Sequence, residues 1–283
     1  MSDIATVVGY VLRESVRKRM FLVVLLLTVA FLSLFWLGTA NLFDDIGEVG
    51  PPPGIDANTL VAATVFGLAM FATLFLGTVL AVFLTLSAVR GDAERGLLQP
   101  LVVRPLGRPT FLAARFLGAG AVCGIYVLVV YASALLIVSH EGGWRPDRIV
   151  APALELVLAV TILVTLSLVG SVFLSTTANG VGVFMLFGAG LVAGLLGQIG
   201  EALNSETLRE IGRDSSWLLP FEALYQDGLH RITQDTAGFT RFALELGPFG
   251  GAQVGGRWLF PWVAAYLAAA ALLAVVAFAR RDL

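Results

Sequence analysis

The sequence has little charge and almost no lysine, and both shortages limit what the chain can do. Charged residues make up 13% of the 283 residues and hydrophobic residues 58%, against roughly 25% and 45–50% in soluble domains. Lys18 is the single lysine, whereas the phosphate-binding loop G-x-x-x-x-G-K-[ST] needs a lysine that follows such glycines. We therefore expect that the chain does not hydrolyse ATP through a P-loop of its own.

Cysteine and histidine are equally scarce. Cys123 is the one cysteine, so no disulfide forms within the chain. His140 and His230 are the two histidines, and neither has a partner at metal-ligand spacing, so we expect no bound metal. A membrane-embedded enzyme would need facing acids, a Ser–His pair or metal ligands at depth, and no such pattern is visible. The sequence therefore argues against a catalytic chain.

Long apolar runs dominate what is present. About 20 apolar residues are enough to cross the ~30 Å hydrocarbon core of a bilayer. We predict an all-α membrane protein with six transmembrane helices, near residues 21–40, 59–88, 112–138, 151–174, 180–200 and 258–279.

Arginine is distributed unevenly among the connecting segments. Arginine is frequent before the first span, between the second and third spans and after the last. By contrast, all charged residues of segment 41–58 are acidic. The positive-inside rule then places both termini and residues 89–111 in the cytoplasm, and residues 201–257 outside. Residues 1–20 read as an amphipathic helix in the plane of the membrane, or alternatively as a flanking segment with basic anchors.

The segment between the second and third spans combines charge with turn formers. Its core reads GDAERGLLQPLVVRPLGRPTF, residues 91–111. A short helix is predicted over residues 92–103, because acids suit its first turn and leucines share one face, although Pro100 limits its length. A charged helix at the cytoplasmic tip of a membrane bundle suits contact with a soluble motor. Alternatively, its arginines anchor the loop at anionic lipid.

These residues also resemble a known family. The stretch AERGLLQPLVVRPLGRPTFLAARFLGA, residues 93–119, is similar to the coupling-helix signature of ABC-2 type permeases, and especially of the NosY-like permeases. Leu97 stands where the family usually has threonine, and Arg115 where it usually has lysine. The closing FARRDL, residues 278–283, also resembles the family's C-terminus. The matching positions are Glu94, Gly96, Leu98, Leu101, Arg104, Pro105, Arg108 and Phe116.

The resemblance implies the permease half of an ABC exporter. Very low lysine, with alanine, glycine and arginine favoured, indicates a prokaryotic source and hence the cytoplasmic membrane. Two copies of this permease, expected to form a homodimer, would pair with separate P-loop ATPases that bind ATP and magnesium, so this chain itself would hold no cofactor. Nucleic acid is not an expected partner. Short external helices between spans five and six would cover the outer end of the pathway, or simply pack on the bundle. The residues expected to contact the ATPase are Glu94, Arg95, Leu98, Leu101, Arg104 and Arg108.

Small residues on the fifth span favour close helix packing. Gly190 and Gly194 are four residues apart, and so are Ala193 and Gly197, a spacing that lets helix backbones approach in lipid. The dimer interface is one use for these residues, and packing within one subunit is the other.

The spans offer few groups that could contact a cargo. Glu155 is the one ionisable side chain inside a span, where such groups are usually functional, although an acid at the outer interface is the simpler reading. Ser167, Ser171 and Ser175 form a stripe that could line a pathway or bond to helices. An essentially uncharged interior suggests efflux of an apolar, amphipathic or lipid-like molecule. The alternative function is a membrane scaffold or assembly factor without bulk transport.

Overall fold

The structure is a computed structural model in which residues 19–48, 56–86, 108–236, 240 and 254–279 are described. Six helices of this part are long and apolar enough to cross a membrane, and no strand occurs in it. The prediction of an all-α membrane protein with six spans is confirmed. The helices are α1 (Arg19–Glu48), α2 (Ala57–Thr85), α3 (Arg108–Glu141), α4 (Val150–Phe173), α5 (Thr176–Ala202), α6 (Glu206–Leu218), α7 (Pro220–Ile232) and α8 (Leu259–Ala279).

The spans α1 to α5 and α8 give the bundle two sides. We call the side with the start of α1 and the end of α8 the proximal side, which the arginine distribution predicts to be cytoplasmic. The distal side carries the start of α2, the connection 142–149 and the end of α5.

Helices α2 and α4 form the centre of the bundle, because most of their residues are buried by the surrounding helices. Phe66 and Leu74 of α2 and Leu163 of α4 are fully buried. Helix α4 contacts α2, α3, α5, α7 and α8. By contrast, α1 and α8 lie at the periphery and expose many large apolar side chains, as expected of helices that face lipid.

Two helix boundaries differ from those that the sequence predicted, namely the end of α1 and the start of α3. Helix α1 continues to Glu48, so the first span extends into the predicted outer loop. Helix α3 already begins at Arg108, where Pro109 suits a first helical turn, so the last part of segment 89–111 is helical. The predicted in-plane helix over residues 1–20 falls, apart from the first two residues of α1, outside the described part of the chain. The predicted helix over 92–103 also lies outside it.

The two short helices after α5 fold back into the bundle, whereas the sequence placed residues 201–257 outside. Asn204 adopts a left-handed conformation, with φ of 53°, and reverses the chain. Helix α6 then runs back along α5, and Pro220 begins α7, which packs mainly on α4. Because thirteen-residue helices are too short to span a membrane, their length alone could not reveal this position.

The depth of this re-entrant hairpin, α6 with α7, follows from its contacts with α5. Leu208 packs at Gly200, and Gly212 at Gly197, so α6 descends from the distal side. The ring of Phe221, at the start of α7, packs on Gly190. At a rise of about 1.5 Å per residue, Gly190 lies ~18 Å below the end of α5. The far end of α7 returns to the distal side, where the carbonyl of Ile232 accepts a bond from the backbone of Asp147.

Candidate functional site

Of the residues expected to contact an ATPase, one falls within the described part of the chain, at the proximal side. Glu94, Arg95, Leu98, Leu101 and Arg104 fall outside the described residues. Arg108 is the first residue of α3. The chain that carries these residues connects α2 to α3, two helices that pack on each other and on α4. Their contact with an ATPase stays a prediction.

A buried ion cluster joins α4 to the re-entrant hairpin near the distal side. The guanidinium of Arg231 on α7 lies between two carboxylates, and its Nε is 2.8 Å from Glu155 Oε1. Its Nε and Nη2 also donate to Asp227 Oδ2, at 2.9 and 2.7 Å. The Glu155 and Asp227 side chains are only 1% and 2% exposed, against 31% for Arg231. Glu155 is therefore a buried member of an ion cluster near the distal end of α4.

The two carboxylates are not equivalent partners of Arg231. The single hydrogen on Nε is directed at Asp227, so the contact with Glu155 is a charge contact without hydrogen-bond geometry. Accordingly, neither oxygen of Glu155 accepts a hydrogen bond from the described residues. Asp227 instead accepts a third bond, at 2.9 Å, from the backbone N–H of Gly255. The cluster joins one guanidinium to two buried carboxyl groups, and Arg231 is the basic side chain that contacts both of them.

Glycine makes this close packing possible. A Cβ on Gly228 of α7 would lie 3.2 Å from Glu155 Oε2, and one on Gly255 would lie 3.1 Å from the carboxyl carbon of Asp227. The cluster consequently ties three elements together: α4, α7 and the segment that leads into α8. Although partial burial lowers the pKa of Arg231, the bonds to Asp227 and the charge of Glu155 raise it in net.

The serine stripe does not line one continuous surface. Ser167 Oγ is hydrogen-bonded to Thr85 Oγ1 of α2 at 2.6 Å, and its carbonyl accepts a bond from Asn179 Nδ2 of α5 at 2.9 Å. Ser171 Oγ bonds to the carbonyl of Leu168 within α4. Ser175 is exposed in the turn between α4 and α5. Ser167 and Ser171 thus make the helix contacts that the sequence left open as the alternative, and Ser167 joins α2, α4 and α5 at the proximal side.

The small residues of α5 have partners within the same chain. Gly190 packs on Phe221, Gly194 packs on Glu222, and Gly197 and the carbonyl of Ala193 approach Gly212. This is the second use that the sequence left open for them. Their spacing is explained without a second copy, and a dimer interface on α5 stays a prediction.

A cavity of about 280 Å³ lies between the hairpin, the distal end of α5 and the start of α8. A polar chain enters it: Gln198 Nε2 donates to Gln226 Oε1 at 3.1 Å, and Gln226 Nε2 donates to Glu222 Oε1 at 2.8 Å. Glu222 is only 4% exposed. Burial raises the pKa of Glu222 to about 7, and the bond from Gln226 opposes only part of that rise.

Comparison with known proteins accounts for this architecture. The family model described as ABC-2 family transporter protein matches residues 6–283 of the chain. The chain belongs to the ABC-2 family. Its match includes the whole six-span bundle, the re-entrant hairpin and the segment that carries the predicted coupling residues.

Two curated relatives agree with this ABC-2 assignment. The chain is 31% identical over 140 residues to the probable ABC transporter permease protein NosY of Stutzerimonas stutzeri. It is 33% identical over 137 residues to the protein of the same name from Pseudomonas aeruginosa. These stretches cover 49% and 48% of this chain and 46% of each relative, so the chain spans about half the length of the curated relatives it matches.

Sequence reasoning found one member of the distal ion cluster of this ABC-2 protein and missed the others. Glu155 stood out because it is an acid in an apolar span. Asp227 and Arg231 did not, although their i, i+4 spacing on an amphipathic helix is a usable signal for a paired charge. Glu222 gave no signal, because its burial depends on the packing of the hairpin.

Proposed function

We propose that this chain is the permease subunit of an ABC exporter and works with a separate P-loop ATPase. The observation that carries the proposal is the family match over residues 6–283 in a chain whose one lysine cannot form a P-loop. A transporter of this kind needs its ATP-hydrolysing part on another subunit. ATP and magnesium would bind there, and this chain would hold neither.

The coupling contact is assigned to residues 91–111, with Glu94, Arg95, Arg104 and Arg108 as the charged groups. The position of α2 and α3 supports this assignment, because a displacement of their proximal ends reaches α4 directly. Thr85, at the proximal end of α2, is bonded to Ser167 of α4. ATP-driven closure of two ATPases would then move α2 and α4 together.

Helix α4 offers a rigid path from the proximal to the distal side. Ser167 lies near its proximal end, and Glu155 lies near its distal end in contact with Arg231 of the hairpin. Asp227 extends the path to the segment before α8. A rocking motion of α4 would therefore displace the hairpin, which in this proposal covers the outer end of the pathway.

The cargo class rests on the apolar interior. Outside the distal cluster, the described parts of the spans place no buried charge near the middle of the bundle. Such a pathway suits an apolar, amphipathic or lipid-like molecule, because an ion or strongly polar solute would need matching groups. The proposal includes a second copy of the permease, both termini in the cytoplasm and a place in the inner membrane of a bacterium.

The test is recovery of the ATPase from native membranes. Tagged protein would be isolated in mild detergent, and co-purifying proteins would be quantified by mass spectrometry. We expect a P-loop ATPase at close to one copy per permease. The double charge reversal Glu94→Arg with Arg104→Glu should reduce its recovery at least tenfold.

A matched control reverses a charge pair on the distal side. Glu206 and Arg209 form a pair on α6, with N and O atoms 4.0 Å apart and side chains 81% and 38% exposed. Glu206→Arg with Arg209→Glu should leave ATPase recovery unchanged. If no ATPase accompanies the wild type while the permease oligomer is intact, the exporter proposal fails, and a membrane scaffold or assembly factor becomes the better description.

A further inference from the structure

The distal cavity has the composition of a binding site rather than of a packing defect. Defects in cores are lined by apolar groups, whereas this cavity combines an acid, two glutamines, two arginines and three tryptophans. Ligand sites typically place a few polar groups among aromatic walls. The cavity is also the right size for one small polar headgroup, at about 280 Å³.

Its buried wall carries a carboxylate without a cation. Glu222 receives a bond from Gln226, and no arginine of the described chain forms an ion pair with it. A buried carboxylate is costly unless a positive group compensates it. An ammonium group in the cavity would supply that charge.

Two indoles that line the same cavity as Glu222 suit the same group. The rings of Trp217 and Trp262 meet edge to face, with centroids 5.5 Å apart. The N–H of Trp262 is already bonded to the carbonyl of Trp217, so the ring itself is what Trp262 offers to a ligand. Aromatic rings attract ammonium and quaternary ammonium groups.

The mouth of the cavity has the opposite charge. Arg213 of α6 is 66% exposed, and its nearest acid is Asp214 at 3.8 Å. Arg257 is exposed beside the ring of Trp258, 5.7 Å from its centroid. Two guanidinium groups repel a simple cation and attract phosphate. A ligand that satisfies both ends is a zwitterion.

The location specifies the zwitterion further. The cavity is lined by Gln198, near the end of the fifth span, and by Trp258 and Leu259, where the last span begins. Tryptophan is frequent where transmembrane segments meet the polar layer of a membrane. We propose that the cavity binds a zwitterion with an ammonium group near Glu222 and a phosphate near Arg213 and Arg257, as in choline and ethanolamine phospholipid headgroups.

This inference goes beyond the proposed function, because binding here needs neither an ATPase nor transport. The permease alone, purified in an uncharged detergent, is therefore the material to test. Glycerophosphocholine is the soluble probe, since both its charges are permanent between pH 6 and 8. Titration calorimetry at pH 8 should detect its binding, and glycerol phosphate, which lacks the ammonium group, should bind at least tenfold more weakly.

Glu222→Gln is the first variant, because the amide keeps the shape and still accepts the bond from Gln226. It should weaken glycerophosphocholine at least about tenfold, the usual scale for a lost charged contact. Glu210→Gln, an exposed acid of α6 away from the cavity, is its control and should change nothing. Arg257→Gln, on the exposed mouth, does not threaten folding and should weaken glycerophosphocholine and glycerol phosphate alike.

The pH dependence gives a second readout of the ammonium end. Glu222 is the group that titrates here, since Arg213 and Arg257 stay charged and burial raises the pKa of Tyr225, its neighbour on α7. With the pKa of Glu222 at about 7, its ionised fraction rises roughly tenfold between pH 6 and 8. Affinity for glycerophosphocholine should rise by a similar factor, and Glu222→Gln should abolish that rise.

An experiment in a membrane distinguishes a soluble zwitterion from a lipid headgroup as the ligand. Native mass spectrometry of the protein in nanodiscs should show retained phosphatidylcholine in preference to phosphatidylglycerol, and Glu222→Gln should remove the preference. Binding of the soluble probe indicates entry from water, whereas selective lipid retention without it indicates entry from the bilayer. Failure of both arms, or equal binding of glycerol phosphate, overturns the proposal and leaves the exporter assignment untouched.

Discussion

Arg231 is the residue whose removal best tests the distal ion cluster. Its guanidinium separates Glu155 and Asp227, and both carboxylates are buried. Arg231→Gln leaves two buried carboxyl groups facing each other without the positive group between them. Breaking a buried ion pair costs about 3–5 kcal/mol. Because Arg231 itself is 31% exposed, water relieves part of this cost, and we expect a loss of about 2–3 kcal/mol.

Glu155→Gln should be much milder, although it removes the more deeply buried charge. Asp227 keeps both directed bonds from Arg231 and the bond from Gly255, and the repulsion between the carboxylates disappears. A loss of no more than about 1 kcal/mol follows, because no group is left with an unpaired charge. The double variant should recover about 1–2 kcal/mol of the Arg231→Gln loss, as expected for residues in contact.

The assay is apparent thermal stability in a mild detergent. It is measured as the loss of the monodisperse size-exclusion peak after heating. All variants need the same heating rate, because unfolding of such proteins is often irreversible. At about 2–4 °C per kcal/mol, Arg231→Gln should lower the apparent Tm by roughly 5–10 °C and Glu155→Gln by about 3 °C or less. Glu206→Gln, whose side chain is 81% exposed in its pair with Arg209, serves as the control and should shift it very little. A Tm for Arg231→Gln within 2 °C of wild type, or equal losses for the two single variants, would refute the reasoning.

Two further predictions use the same assay. Gly190→Ala places a Cβ 2.5 Å from the buried ring of Phe221 and should lower the stability by about 1–3 kcal/mol. Gly188→Ala, with open space at its Cβ, is the control and should be neutral or slightly stabilising. Equal effects of the two variants would contradict the packing of the hairpin on α5. Asp56 caps α2 through Thr59, whose hydroxyl and backbone bonds hold the pKa of Asp56 below its usual range. Asp56→Ala should therefore lower the stability by about 1 kcal/mol at pH 7. The difference in stability between wild type and variant should shrink as the pH falls below 3.8 and Asp56 becomes protonated. A stability difference that does not change with pH would exclude the cap.

The six spans and the helical class could be predicted from sequence because they depend on local properties. Hydropathy over about 20 residues decides whether a helix crosses a membrane, and no distant residue alters that requirement. The family resemblance was also local, since it rested on a continuous stretch of residues that the family model includes. Within these helices, Glu155 could be recognised as unusual for the same reason.

What each polar or small residue contacts was decided by the tertiary structure. A buried charge must find a partner, but the sequence does not say which one, and Arg231 lies on a helix far along the chain from Glu155. The glycines of α5 indicate a close neighbour. The sequence alone does not distinguish a second copy of the chain from the chain's own hairpin as that neighbour. Only the reversal at Asn204 and the turn at Pro220 bring the hairpin back against α5, which buries Glu222 and forms the distal cavity. Span formation is a property of single segments, whereas pairing depends on complementarity between segments that meet only after the bundle has folded.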